Sequence, residues 1–439
     1  MPRKRVTYLD VAEAWPRLTT AERVRHLKQL GADIGHEFFF DLSAADQAEV
    51  LLALPPGERR PWIRLLAPDD LADLVQAVPP DQRGGLLALL DEPTRAEVTA
   101  LLAYAEDDAG GVMNPRYIRV RPNMSAAEAL GYFRRQAQER TGRETPTVAY
   151  VLDADGKLLG QIDLTDLIAA DPSTSVAQLM RTEIVTIPED ADQEVVARLF
   201  AERGLVAAPV VDAAGRMKGV VTADDVVAVV EEEATEDIQK LGGSEALDEP
   251  YLKIAFSRMV RKRAGWLAAL FIGEMLTATA MARFEAEIAH AVVLALFVPL
   301  MISSGGNSGS QASTLVIRAM ALSEVRLRDW MRVLRREIGA GLALGCVLAV
   351  IGFARILAWQ AAGGVYGPHY LAIATTVAIS LVGIVMWGTM TGALLPFLLR
   401  RLGFDPASAS APFVATLVDV SGIVIYFTVA SVVLRGRLL

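Results

Sequence analysis

A carboxylate in the middle of an apolar run is the residue best placed to do chemistry in this 439-residue chain. Asp419 stands in FVATLVDVSGIVIYF, and no Lys or Arg in that run can pair with it. Left alone in hydrocarbon, such a carboxylate would cost several kcal/mol. A hydrated cation in a polar lumen is the simplest partner; a hydrogen bond to Asn307 or a serine is the structural alternative. Those candidates lie in PLMISSGGNSGSQAS, beginning at Pro299. Its Pro and Gly free backbone groups, and Asn307 and Gln311 add polar side chains that membrane depth tolerates only where protein or water satisfies them. The stretch therefore reads either as a broken segment lining a pore or as a tight helix crossing made possible by small residues. A second carboxylate in apolar surroundings, Glu274 of LFIGEMLTATAM, has no role that the sequence settles.

Carboxylates also cluster where the chain is polar. PDDLAD holds Asp69, Asp70 and Asp73, more acid than one helix cap needs. In VTADDVVAVVEEEATED, Glu233, Glu236 and Asp237 fall at i, i+3 and i+4 of a helix and share a face, with Asp224 and Asp225 upstream. A solvated charged face is the plain reading, and a weak oxygen site for a divalent cation is the functional one.

The elements that must carry these residues divide by charge. Residues 1–257 hold 27 Lys+Arg against 44 Asp+Glu, a net of −17, whereas residues 258–439 hold 16 against 8, a net of +8. The acidic half cannot neutralise phosphates, which excludes nucleic acid as a partner. The one cysteine, Cys346, excludes a disulfide framework and a Cys-based metal site. The start MPRKRVTYLDVAEAW has no apolar signal core, so the N-terminal half is expected in the cytoplasm.

From Leu18 to Leu90 an apolar residue recurs every 12 positions, most of them opening a turn rich in Pro and acids, which predicts stacked short helices. Residues 112–230 hold a longer duplication. VAYVLDADGKLLGQIDLTDLIAA aligns with VAAPVVDAAGRMKGVVTADDVVAVV, and each half reads strand, helix, strand, Asp-x-x-Gly turn, strand, helix. An amphipathic helix from Leu252 to Val260, ending in Arg261, Lys262 and Arg263, is expected to lie along a membrane interface. Five spans follow near 264–283, 290–318, 337–360, 370–399 and 411–434. Basic residues before the first span, after the second and after the fourth put the N-terminus inside and the C-terminus outside, with Arg435 and Arg437 against the rule. Trp359, Tyr366 and Tyr370 are expected in an outer aromatic belt.

PLMISSGGNSGSQASTLVIRAM and DPASASAPFVATLVDVSGIVIYF resemble two segments of the MgtE family of magnesium transporters, and the duplicated module resembles a tandem CBS pair. The resemblance covers nearly the whole chain. It implies a multidomain membrane protein: an all-α superhelical N domain over 1–111, α/β CBS repeats over 112–171 and 172–232, a connecting helix region over 233–263, and an all-α transmembrane domain of five helices over 264–439. It implies an ion-selecting carboxylate at Asp419, with Asp405, the carbonyl of Ala415 and the turn Gly305-Gly306-Asn307 as neighbouring pore positions. Cytosolic magnesium would bind at Glu37, Asp69, Asp73 and the backbone of Gly111, at Asp192 and Glu194, and at Asp224, Asp225, Glu233, Glu236 and Asp237. The motif that holds an adenine nucleotide in many CBS pairs corresponds to Asp163-x-x-Asp166 and Thr222-x-x-Asp225. Asp166, Thr222 and Asp225 are thus the nucleotide positions for ATP, with Asp163 in place of the usual hydroxyl residue. Other departures are Ser310 and Ser303-Ser304 in the pore segment, and Gly204 and Ala228 where the family carries sensor acids.

Together these readings predict a homodimeric magnesium channel or transporter of the inner membrane, gated by cytosolic Mg²⁺ and not an enzyme. No Walker motif, phosphorylated-Asp motif or histidine cluster offers an engine for pumping. Exchange coupled to Na⁺ or H⁺ is the alternative that Glu274 keeps open, and a CBS-regulated membrane enzyme is the alternative from another class.

Overall fold

The computed structural model describes residues 7–139, 147–247, 251, 254–364 and 366–435. The chain divides into two compact units, Met1–Glu232 and Glu233–Leu439.

In the first unit, α1 (Tyr8–Ala14), α2 (Thr20–Gln29), α3 (Ala32–Phe40), α4 (Ala44–Ala53), α5 (Pro56–Ile63), α6 (Pro68–Ala77), α7 (Pro80–Leu87) and α8 (Glu92–Leu101) follow one another with short turns. Pro56, Pro68 and Pro80 each begin a helix, where a missing N–H costs nothing. Leu54, Leu66, Val78 and Leu90 of the 12-residue register are buried between helices, while Leu18 and Leu42 are half-buried. Two arginines 24 residues apart finish the stack. Arg59 donates to the carbonyls of Leu52 and Leu54 at 2.6 and 2.9 Å, and Arg83 to those of Gln76 and Val78 at 2.7 and 2.9 Å, capping the ends of α4 and α6. Beneath α2, the guanidinium of Arg23, 1% exposed, binds Asp46 at 2.8 Å, Glu49 at 2.9 Å and the Trp15 carbonyl at 2.9 Å.

The duplication folds as two like halves. The first holds α9 (Ala109–Val112), β1 (Ile118–Val120), α10 (Ala126–Glu139), β2 (Val148–Leu152), β3 (Leu158–Asp163) and α11 (Leu164–Ala169). The second holds α12 (Val176–Leu179), β4 (Ile187–Pro188), α13 (Gln193–Arg203), β5 (Ala207–Val211), β6 (Met217–Thr222) and α14 (Ala223–Leu241). Each sheet pairs its first two strands parallel and its last two antiparallel. In both hairpins the Asp-x-x-Gly turn works alike: Asp153 and Asp212 accept backbone N–H groups across the turn, and Gly156 and Gly215 take φ of +81° and +77°. Ala109 and Gly110 donate to the carbonyls of Ala191 and Glu189, so the tail of the expected N domain packs with the second CBS half.

The second unit holds α15 (Phe256–Arg283), α16 (Glu285–His290), α17 (Val298–Ala321), α18 (Trp330–Gly363), α19 (Tyr370–Arg401) and α20 (Ala411–Val433). Five segments are long and apolar enough to cross a membrane: Phe256–Arg283, Val292–Ala321, Leu327–Gly363, Tyr370–Arg401 and Ala411–Val433.

Three expectations need correction. The interfacial helix is not separate: Arg258, Arg261, Lys262 and Arg263 occupy the opening turns of α15, because no Pro or cap interrupts the run into the first span. Leu252 and Lys253, the start of that expected helix, lie outside the described residues, as does Arg437. The polar stretch is not broken either. α17 is a continuous helix with Pro299 in its first turn, and Gly305-Gly306-Asn307 is helical rather than a turn. Tyr366, expected in the outer belt, is 9% exposed and packs on Phe297 with ring centroids 5.8 Å apart; Trp359 remains exposed.

Candidate ion path and regulatory carboxylates

α17 stays helical because its glycines are contact points. A side chain at Gly309 would meet Val414 at 2.8 Å and the Gly388 carbonyl at 2.9 Å, and Gly388 and Gly392 of α19 leave no room for a Cβ against the backbone of Gly305 and Gly309. The small residues therefore serve a close helix crossing. Gly305, expected as a pore position, belongs to that crossing, since its Cβ direction runs into Ile384 and Val418.

Gly306 points elsewhere. A Cβ there would stand 3.3 Å from Ala415 Cβ and 3.5 Å from Oδ1 of Asp419, so the missing side chain lets α17 pass close to α20 beside the carboxylate. Asp419 is half-buried, and among the described residues its side chain makes no hydrogen bond or ion pair. Neither alternative partner named from sequence is used: Asn307 donates to Ser303 at 3.3 Å on its own helix, and Ser304 to the Leu300 carbonyl at 2.7 Å. Ser310 and Ser313 instead donate to the carbonyls of Ala411 and Ala409 at 3.1 and 2.8 Å, which registers α17 against the start of α20. Ala415 sits inside α20, where the helix pattern already employs its carbonyl.

The structure brings in a residue whose place the sequence left open. α15 meets α20 where a Cβ on Gly273 would lie 3.0 Å from Thr416, and the neighbouring Glu274 comes within electrostatic range of Asp419. Two carboxylates thus face one seam of the membrane unit. Asp405 lies outside it, in the turn between α19 and α20. There one oxygen accepts the Ala407 N–H at 2.8 Å and the other binds the ammonium of Lys240, 2.7 Å away. Nothing in the sequence pointed to Lys240.

The soluble carboxylates fall into two groups. Asp192 caps α13 by accepting the Glu194 N–H at 2.8 Å, and Asp225 accepts from Thr222, N–H at 3.0 Å and hydroxyl at 2.6 Å, so capping accounts for both. Asp166 binds Arg181 at 2.9 Å, and Asp163 binds the same guanidinium at 3.0 Å. The others differ in exposure. Asp69 is buried at the start of α6, while Glu37, Glu194 and Asp224 are exposed. Asp73 reaches water although protein surrounds most of it; that crowding, with the charges of Asp70, Glu232 and Glu106, pushes its carboxyl up to about 7. Asp237 on α14 is pushed up to about 6, first by burial and then by Asp405, with Glu233 and Glu236 adding to the repulsion and Lys240 opposing it. Gly111 donates its N–H to the Asp108 carbonyl at 2.7 Å. Among the described residues, no three His, Cys, Asp or Glu side chains converge as a metal centre. Crowded, incompletely neutralised carboxylates are what the geometry offers a divalent cation.

A helical domain, a CBS pair and a five-span unit with carboxylates at a helix crossing have the make-up of a membrane transporter joined to a soluble module. Residues 298–429 match the MgtE model, described as a divalent cation transporter; 6–107 match the MgtE intracellular N domain, and 109–173 and 176–232 match CBS domains. The chain is 42% identical over 430 residues to the magnesium transporter MgtE of Thermus thermophilus, covering 97% of this chain and 93% of that one. It is 30% identical over 422 residues to that of Bacillus subtilis, covering 96% and 91%. A solved cytosolic domain of the Mg²⁺ channel MgtE in complex with ATP is 43% identical, covers 51% of this chain and 90% of its own, and superposes with a TM-score of 0.48. The chain belongs to the MgtE family of divalent cation transporters.

Proposed function

We propose that this protein carries Mg²⁺ across the cell's inner membrane along a path beside Asp419, and that cytosolic Mg²⁺ closes the path. The observation that carries the reading is the half-buried Asp419 carboxylate, without a protein partner among the described residues, at the point where Gly306 of α17 passes it. A carboxylate in that setting needs a cation, and Mg²⁺, which keeps several of its waters, needs a roomy oxygen-lined path. Two copies about a twofold axis would supply two such carboxylates. The membrane potential is sufficient drive, at about 4–5 kcal/mol per 100 mV for a divalent ion. With its N-terminal domains in the cytoplasm and its C-terminus outside, the reading is of a transporter and not of an enzyme.

Closure follows from the acidic unit. Carboxylates that repel one another at low Mg²⁺ are drawn together as ions bind, and several sites of about 1 kcal/mol of differential affinity each sum to a steep switch. Asp73 and Asp237, both held above the usual carboxylate range first by burial and then by neighbouring acids, support this. Neutralising Asp69, Asp73, Glu233, Glu236 and Asp237 together should leave uptake intact and stop internal Mg²⁺ from closing the path. Tracer uptake into proteoliposomes loaded with graded Mg²⁺ tests this, and unchanged inhibition in the variant would refute it. An adenine nucleotide at the CBS pair belongs to the same reading, with Asp166, beside Arg181, as its contact.

One observation favours a second reading. Glu274 beside Asp419 gives the membrane unit two neighbouring carboxylates, the equipment of an exchanger that carries H⁺ or Na⁺ against the divalent ion. Mg²⁺ flux under voltage, with no Na⁺ or H⁺ gradient, separates the two.

A further inference from the structure

The turn from α17 into α18 carries the densest positive charge of the membrane unit. Between Arg318 and Arg336 the chain holds six arginines against Glu324 and Asp329, a net of +4. Arg326, Arg328, Arg332, Arg335 and Arg336 are all exposed, and of these five only Arg332 has an ion-pair partner among the described residues, Asp329 at 2.8 Å. On α18, Arg332, Arg335 and Arg336 fall at i, i+3 and i+4 and share a face. Leu327, Trp330 and Met331 are exposed among them, the mixture of aromatic, apolar and basic side chains that suits a membrane interface.

The rest of α18 fixes the depth of this collar. Beyond Arg336 its exposed side turns apolar, through Ile338, Leu342, Val347, Val350 and Ile351, until Arg355, whose guanidinium lies 5.1 Å from the centroid of the Trp359 ring. The 19 positions from Arg336 to Arg355 span about 29 Å of helix, which matches a hydrocarbon core of about 30 Å. Arg335 and Arg336 therefore stand at headgroup level, with Arg328 and Arg332 just outside it. We propose that this collar is a binding site for anionic phospholipid headgroups, which zwitterionic lipids fill poorly. Guanidinium forks match phosphate oxygens, and a headgroup that carries no cation of its own keeps the full attraction of the collar. One arginine close to anionic lipid is worth about a fivefold preference. The proposal needs only that α18 cross a membrane, so it stands apart from the reading of Asp419 and of the acidic unit.

Native mass spectrometry of the full-length protein tests it, with phosphatidylglycerol and phosphatidylcholine added in equal amounts to the detergent solution and the bound lipids counted. Wild type should retain phosphatidylglycerol about fivefold over phosphatidylcholine. Arg328→Gln, Arg335→Gln and Arg336→Gln together should bring the ratio close to one, and Arg335→Gln alone should lower it part of the way. Lysine at the same three positions should keep most of the preference, because the charge remains. If wild type holds both lipids equally, the collar is not an anionic-lipid site, and an acidic protein surface becomes its better partner. If the triple glutamine variant keeps the wild-type ratio, the lipid binds elsewhere and the proposal is overturned.

Discussion

Two acidic places in this molecule differ in what surrounds them. Under α2, Asp46 and Glu49 share the guanidinium of Arg23, which is 1% exposed and also bound to the Trp15 carbonyl. At the α17–α20 crossing, Asp419 has no such partner among the described residues and lies beside Gly306, within range of the charge of Glu274. The first set is closed by the protein itself, so its charges act on stability. The second has no such partner among the described residues, so on the proposed reading its charge acts on the cation carried. Partner count, rather than the presence of acid, separates structure from function here.

The comparison breaks if the two places respond alike to mutation. Arg23→Ala, which removes the guanidinium shared by Asp46 and Glu49, should destabilise the soluble unit by about 3 kcal/mol, seen as an earlier urea midpoint, while leaving the flux of correctly folded protein unchanged. Glu274→Gln should keep voltage-driven Mg²⁺ flux within a few-fold of wild type if transport is channel-like; loss of flux would favour the exchanger.

Asp73 sharpens the comparison by lying between the extremes, crowded by acids yet reached by water. Its folded carboxyl is pushed up to about 7, above the ordinary carboxylate value of about 3.9, so its contribution to stability is fully present below about pH 4 and is lost as pH rises through 7. Asp73→Asn should therefore stabilise the protein at pH 8 by about 1 kcal/mol after solvent screening, with no gain near pH 4. Added Mg²⁺ should shrink the gain, and thermal unfolding across pH with and without Mg²⁺ checks it. The smallest expected effect is at the CBS pair: Asp166→Ala should abolish ATP heat in calorimetry while barely moving the melting temperature, since Asp166 pairs with an exposed Arg181.

Much of this architecture was legible because it is written in short periods. The 12-residue register marks the helices of the N domain, the paired Asp-x-x-Gly turns mark the two hairpins, and apolar runs mark the spans. Asp419 was legible for a local reason too, as a lone charge in an apolar run. What escaped depends on residues far apart in sequence. Lys240 and Asp405 are separated by 165 positions, and Glu274 gains its meaning only when α15 crosses α20. The glycines of α17 were ambiguous for the same reason, since packing and a broken helix predict one composition. Only their partners on other helices show that Gly305 and Gly309 pack into α19 and α20 while Gly306 passes Ala415 and Asp419.

The most direct test of Asp419 is Mg²⁺ uptake into proteoliposomes under an imposed inside-negative voltage, without Na⁺ or H⁺ gradients, comparing wild type, Asp419→Asn and Asp419→Ala at matched insertion. Wild type should accumulate Mg²⁺, Asp419→Ala should fall to the rate of empty vesicles, and Asp419→Asn should lie between them. Uptake by Asp419→Ala at the wild-type rate would contradict the account.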